Sequence, residues 1–272
     1  MNVRARNMLI AGSAIAAVGL WWKGRSDDQA IHDQVTYPPL DMLKSVAEDI
    51  WIIDSGPISA MGLQLPVRMT IIRLASGDLV LHSPTKFSTA VAEAVGALGT
   101  VRHLVAPNVA HWTFLTQWQH AFPEATIWAA PGLGERPQVR ASGLRVDAVL
   151  GDEAPPAWAD EITQGVVAGG AGFHENWFFH RASRTLLLVD LIENLEPAKL
   201  PPLARLVMRA SAATNGTTAR YLRPIVRLGG PKAKQAISEL IAMGPERVIF
   251  ARGRFFERQA AEQLQRAFAW LV

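Results

Sequence analysis

The sequence contains no cysteine, which excludes disulfide bonds, thiolate zinc ligands and a cysteine nucleophile. The compartment stays open, because a cysteine-free chain folds in either redox environment. A dominant sign of charge is also missing: 27 Lys and Arg stand against 24 Asp and Glu, a formal net charge of +3. The basic residues are scattered arginines rather than a tail or a single stripe, so a nucleic-acid partner is not expected. There is no Gly-x-Ser-x-Gly elbow, the usual mark of a serine hydrolase. Gly169-Gly-Ala-Gly172 is glycine-rich, but no phosphate-loop lysine follows it. The seven histidines include no pair at the tight spacing of a strong metal motif. No internal repeat is visible.

What is present is a globular composition, with 49% hydrophobic and 19% charged residues over 272 positions. Residues 1–25 stand apart. Arg4 and Arg6 precede an apolar run, Met8 to Trp22, and Lys23 and Arg25 follow it. The run falls short of the roughly 20 residues that span a bilayer comfortably. A cleaved signal peptide is one reading. Cleavage after Ala14-Ile-Ala16, however, would leave an apolar stub ending in Trp21-Trp22, and a tandem Trp followed by Lys23 and Arg25 suits a membrane interface. We therefore expect a retained anchor over 1–25 and a membrane as the partner of this segment. The charge balance around the run places the domain outside the cytoplasm, on the periplasmic side. Residues 26–45, polar and then turn-rich around Tyr37-Pro-Pro39, read as a linker to a domain over 46–272.

Within that domain, short apolar strands alternate with helical patterns, and each strand ends in a polar turn. Ile50 to Ile53 is ended by Asp54-Ser-Gly56. Val67 to Leu74 and Leu79 to His82 flank the hairpin turn Ala-Ser-Gly-Asp. A helix over Ser88 to Leu98 is expected to stop at Gly99. Strands follow at Val101 to Ala106, Thr126 to Ala129, Leu144 to Val149, Ile162 to Val167 and Asn176 to His180, and a helix from His111 to Phe122 carries Phe114, Leu115 and Trp118 inward. Leu186 to Val189 is apolar throughout and reads as a central strand. Residues 197–242 are expected to be amphipathic helices, before a last strand at Val248 to Phe250 and a closing helix from Glu257. This order implies a mixed α/β layered fold.

The polar residues at the strand ends are the candidates for chemistry: Asn108 and His111 after Val101–Ala106, Asp190 after Leu186–Val189, and Arg252 after the last strand. In α/β folds ligands bind at such ends. His111 and Asp190, with His174 and Glu175, could build one metal site. Each has a plain structural alternative: His111 as a helix-terminal histidine bonded to Asn108, His174 as a loop histidine, Glu175 as a salt-bridge partner of Arg184, Asp190 as a loop cap. His82 follows an apolar strand, and Ser83 and Pro84 shape its turn. His103 and His120 read as boundary residues.

Ala106-Pro-Asn108, Phe179-His-Arg-Ala-Ser-Arg-Thr-Leu-Leu187 with Asp190, and the Pro-Glu-Arg-Val-Ile approach to Gly253 resemble the metallo-β-lactamase superfamily, and in particular its branch known as domain of unknown function 4336. The likeness covers residues 40 to 272 and implies a four-layer αβ/βα sandwich with a helical C-terminal section. It also implies where ligands would fall. The superfamily's His-x-His-x-Asp-His motif, with its last histidine on His111, places Ala106, Asn108 and Ala110 at the other positions. His174 falls near the next ligand, Asp190 at the metal-bridging aspartate, and Arg252 where the last histidine stands. Only His111, His174 and Asp190 remain as metal ligands, so zinc is not favoured. The expectation is a binding or non-catalytic relative, tethered to a membrane; the alternative is a hydrolase with a reduced, mononuclear metal site. Deleting residues 1–25 is expected to leave a soluble domain with an unchanged circular dichroism spectrum. A deletion that unfolds the domain would show that the segment is structural.

Overall fold

The computed structural model describes residues 35–60 and 63–272. The expected anchor and residues 26–34 of the linker lie outside them. Among the described residues, no helix is long and apolar enough to cross a membrane.

A seven-stranded sheet runs in sequence order: β1 (Lys44–Ala47), β2 (Ile50–Ala60), β3 (Leu63–Arg73), β4 (Asp78–His82), β5 (Thr100–Ala106), β6 (Thr126–Ala129) and β7 (Ala148–Val149). The first four strands pair antiparallel, and β4 to β7 pair parallel. A second sheet has the order β11 (Arg247–Ile249), β10 (Thr185–Leu187), β9 (His174–His180) and β8 (Ile162–Ala168). Its β10 lies parallel to β11 and antiparallel to β9. The helices are α1 (Thr89–Gly96), α2 (Leu115–Ala121), α3 (Pro137–Ala141), α4 (Pro202–Ala210), α5 (Arg223–Arg227), α6 (Gly230–Ala242) and α7 (Ala260–Phe268).

Side-chain alternation along the strands builds the layers. In β2, Ile50 and Ile52 face the second sheet, while Ile53 faces the helices α1 and α2. In β4, Val80 points between the sheets, and Leu79 and Leu81 point to the helices. In β10, Leu187 points inward to meet Ile72 and Val105, and Leu186 packs under α6 and α7. The result is helix, sheet, sheet, helix, the expected four layers. Apolar residues on both faces explain why β4 and β10 lack a hydrophobic–polar alternation.

Several boundaries differ from the sequence reading. β2 continues through Asp54-Ser-Gly56 to Ala60, with a bulge between Ser55 and Ile58. Asp54 can stay inside because Arg68 and Lys44 pair with it, both at 2.8 Å. The expected strand from Leu144 shrinks to Ala148–Val149. The long helix from His111 begins only at Leu115, where Leu115 and Trp118 are fully buried. The end of the expected linker is packed on the domain: Val35 and Thr36 are buried, and β1 starts at Lys44.

One buried cation ties the sheets together at the site edge. Arg68 on β3 is 4% exposed. Besides Asp54, it donates to the carbonyls of Phe250 and Gly253, each at 2.9 Å, and so holds the turn after β11. The Arg68→Ala variant leaves the Asp54 carboxylate with Lys44 alone and frees both carbonyls. Its unfolding free energy is expected to fall by about 3 kcal/mol in urea titration, as for a broken buried pair; a loss under about 1 kcal/mol would place Arg68 among ordinary surface ion pairs.

Candidate functional site at the strand ends

The carboxyl ends of β4, β5, β10 and β11 open onto one edge, and the turns that follow them supply the polar side chains. After β5, Asn108 closes a tight turn: its Oδ1 accepts from the backbone N–H of Ala110 at 2.8 Å and of His111 at 3.0 Å. That capping aims the His111 ring and leaves the Asn108 amide to donate to Asp190 Oδ2 at 2.7 Å. His111 Nε2 lies 3.2 Å from Asp190 Oδ1. Arg252 donates to the same Oδ1 and reaches Glu193 at 3.4 Å. Asn108, His111, Asp190 and Arg252 thus form one connected group. Each of the turns is short and fixed. Gly253, at φ +96, is pressed so closely on Asn194 that a Cβ would sit 2.1 Å from its carbonyl oxygen. No larger residue could follow Arg252 without moving it.

His174 is not brought into this group. It opens β9 beside Glu175, and neighbouring strand residues point to opposite faces. Glu175 is the one directed to the site, so His174 is turned away, with a buried Nδ1 that has no hydrogen-bond partner. Among the described residues, no three His, Cys, Asp or Glu side chains are grouped so as to hold a metal. Glu175 also departs from its expected pairing with Arg184. It is fully buried and accepts from the backbone N–H groups of Val189, Asp190 and Leu191, at 2.8 to 3.3 Å, which shapes the turn carrying Asp190. Arg184 instead lies 3.8 Å from Glu246 and donates to the carbonyls of Met243 and Gly244.

Three residues the sequence did not single out for chemistry complete the edge. Ser83 Oγ is 2.7 Å from His111 Nδ1. Glu193 is buried under Arg252, and the Tyr221 hydroxyl donates to it at 3.1 Å. Ser83 carried a signal in its place directly after β4; Glu193 and Tyr221 are joined only by the tertiary fold. Ser83, His111 and Arg252 line one narrow cleft together with Ile58, Val67 and Phe114.

Burial and charge act against each other here. Burial alone would raise the Asp190 pKa, but the Arg252 and His111 charges, with hydrogen bonds from His111 and Asn108, hold it well below the usual carboxylate range. For Arg252, burial is outweighed by Asp190 and Glu193, which hold its proton more firmly than usual. Burial and the Asp190 charge push Glu175 up to about 8, against the three backbone donors. Burial likewise raises Glu193, assisted by Asp190 and opposed by Arg252.

The zinc pair implied by the fold does not fit these residues. Asp190 Oδ1 already accepts from a guanidinium and Oδ2 from an amide, and the first-motif positions hold Ala106, Asn108 and Ala110. Amide nitrogen and methyl groups are not zinc donors.

His82, 2% exposed against Phe178 with ring centroids 5.2 Å apart, gives a pH test of this edge. Burial, and then the neighbouring His111, push its pKa down to about 3. A folded pKa below the unfolded one means that the unfolded chain takes up the proton first. The contribution is therefore intact above about pH 6.5 and is lost as pH falls toward 3. Glu175 works in the opposite direction, its contribution being lost as pH rises through about 8. Between pH 6.5 and 5, the His82→Phe variant is expected to lose about 1.5 kcal/mol less unfolding free energy than the native chain. Equal losses in both would show that His82 is not held neutral.

No protein of curated function matches the chain. Solved structures similar to it include the metallo-β-lactamase FIM-1 from Pseudomonas aeruginosa in the mono-zinc form, at 10% identity and a TM-score of 0.57 over 84% of this chain and 95% of that one. A metallo-β-lactamase from Hirschia baltica is similar at 13% identity and a TM-score of 0.55, over 83% and 96%. One from Pontibacter korlensis is similar at 10% identity and a TM-score of 0.55, over 84% and 98%. At these identities the likeness is one of fold. The profile of the family described as domain of unknown function (DUF4336) matches residues 47–225, about two thirds of the sequence. The chain belongs to that family, built on the metallo-β-lactamase fold.

Proposed function

We propose that this chain works without the zinc pair of its fold relatives, as a membrane-tethered protein that binds a small ligand in the cleft beside Asp190. The observation that carries the reading is the Arg252–Asp190 ion pair. A bound dication is ordinarily the largest local charge in such a site. Here Arg252 supplies fixed positive charge to the carboxylate, with planar donors shared between Asp190 and Glu193. A buried carboxylate without that partner would be costly. A mononuclear site on His111 and Asp190 would have to displace Arg252 and break the His111–Asp190 contact, and among the described residues no third ligand joins them.

The tether is supported by where the chain enters the domain. Val35 packs among Leu200, Ala204 and Met208 at α4. On the outer side of that helix, Leu203 and Leu206 are 73% and 67% exposed. An exposed apolar, arginine-bearing helix near the point where the described chain begins suits a lipid surface.

Metal content of the protein purified without chelators tests the reading. The expected value is well below one zinc per chain, and Arg252→His is expected to bind zinc more tightly than the native chain. Stoichiometric zinc in the native protein would overturn it.

A further inference from the structure

The expected metal ligands leave one arrangement of this edge unexplained. Ser83 Oγ lies 2.7 Å from His111 Nδ1, and the opposite ring nitrogen lies 3.2 Å from Asp190 Oδ1. Ionised Asp190 can only accept a hydrogen bond. His111 Nε2 therefore carries a proton, and in the neutral ring the Nδ1 lone pair faces the Ser83 hydroxyl. This is the order nucleophile, base, orienting carboxylate, with the two ring nitrogens exchanged relative to the serine proteases. The sequence offered no such reading, because Ser83 lies outside any nucleophile-elbow motif and its partners come from two other strand ends.

Ser83 itself has the backbone of a presented side chain. It follows β4 with φ +57, a left-handed conformation that non-glycine residues adopt uncommonly and that recurs at functional sites. Its N–H donates to the Val105 carbonyl at 2.9 Å, and Pro84 stiffens the turn behind it. A serine needed only to steady a ring could take a relaxed backbone. Arg252 lines the same cleft as Ser83 and His111, and the walls beyond are Ile58, Val67 and Phe114.

We propose that Ser83 is a catalytic nucleophile, with His111 as its base and Asp190 as a positioning residue, acting on carboxylic esters of short apolar acyl groups. The proposal rests on the metal-free reading of the site. The Ser83 oxygen attacks the ester carbonyl, forming a C–O bond as its proton passes to His111 Nδ1. Collapse of the tetrahedral intermediate breaks the bond to the leaving alcohol, which takes that proton from His111. Water, deprotonated by the same nitrogen, then attacks the acyl-serine, releasing the carboxylic acid and returning the proton to Ser83. The Arg252 guanidinium supplies the positive charge for the oxyanion formed in both halves.

The test uses the full-length protein and a short alkyl fluorophosphonate. Attack on phosphorus would form a P–O bond and expel fluoride, leaving a mass-detectable adduct. One adduct per chain on Ser83 is expected. No adduct is expected in Ser83→Gly, whose glycine adopts φ +57 freely and keeps the fold. In His111→Gln the labelling rate is expected to fall at least about tenfold. In Asp190→Asn, kcat for p-nitrophenyl acetate is expected to fall by a similar factor while KM changes little, a split that mere loosening of the cleft would not give. A folded, zinc-free protein that takes no label on Ser83, or one labelled equally fast in His111→Gln, overturns the triad and leaves the metal-free reading standing. Stoichiometric zinc in the same preparation overturns that reading and the triad with it.

Discussion

The Asp190 carboxylate is the constraint on which the site edge depends. It accepts from Asn108, His111 and Arg252 at once, so the turns after β5 and β11 are both aimed by one largely buried charge. Such a charge is tolerable only when fully paired. Each partner is held in turn by backbone. Asn108 is fixed by the amides it caps, and the turn carrying Arg252 by Gly253 and by Arg68 donating to the carbonyls on either side. The Asp190 turn itself is wrapped around Glu175. The edge is therefore a closed set of mutually dependent contacts rather than an open row of ligands.

That closure separates this chain from what its fold implies. A metal site needs lone pairs left pointing at an empty centre. Here the equivalent lone pairs are spent on amide, imidazole and guanidinium donors. The same exchange frees one group: with Nε2 committed to Asp190, the other nitrogen of His111 faces Ser83. On the metal-free reading proposed above, this leaves His111 with a basic nitrogen to offer to Ser83.

Much of the fold was legible in the sequence, because apolar runs ended by polar turns report strand and helix directly. The strand from Thr126 to Ala129 appears as read, and the Ala-Ser-Gly-Asp hairpin joins β3 to β4. The reading failed where tertiary charge decided the matter. Asp54 looked like a strand end, yet Arg68, fourteen residues on, lets the strand continue. The grouping of Asn108, His111, Asp190 and Arg252 could be anticipated, since each follows an apolar strand. Ser83 could not be assigned a partner in advance, because its role depends on a backbone angle and on a ring orientation set by Asn108. Glu175 was misassigned to Arg184 because its real partners are backbone amides, which leave no trace in residue identity.

The central claim is that a guanidinium does the electrostatic work of a metal at Asp190. A double-mutant cycle on Arg252 and Asp190 reads that pairing directly. The unfolding free energies of Arg252→Ala, Asp190→Asn and the double variant are compared with that of the native chain. The account predicts a coupling of about 2 kcal/mol or more, because each single change strands a buried group and the double change strands neither. A coupling within about 0.5 kcal/mol of zero would mean that the two residues meet without depending on each other, and would contradict it.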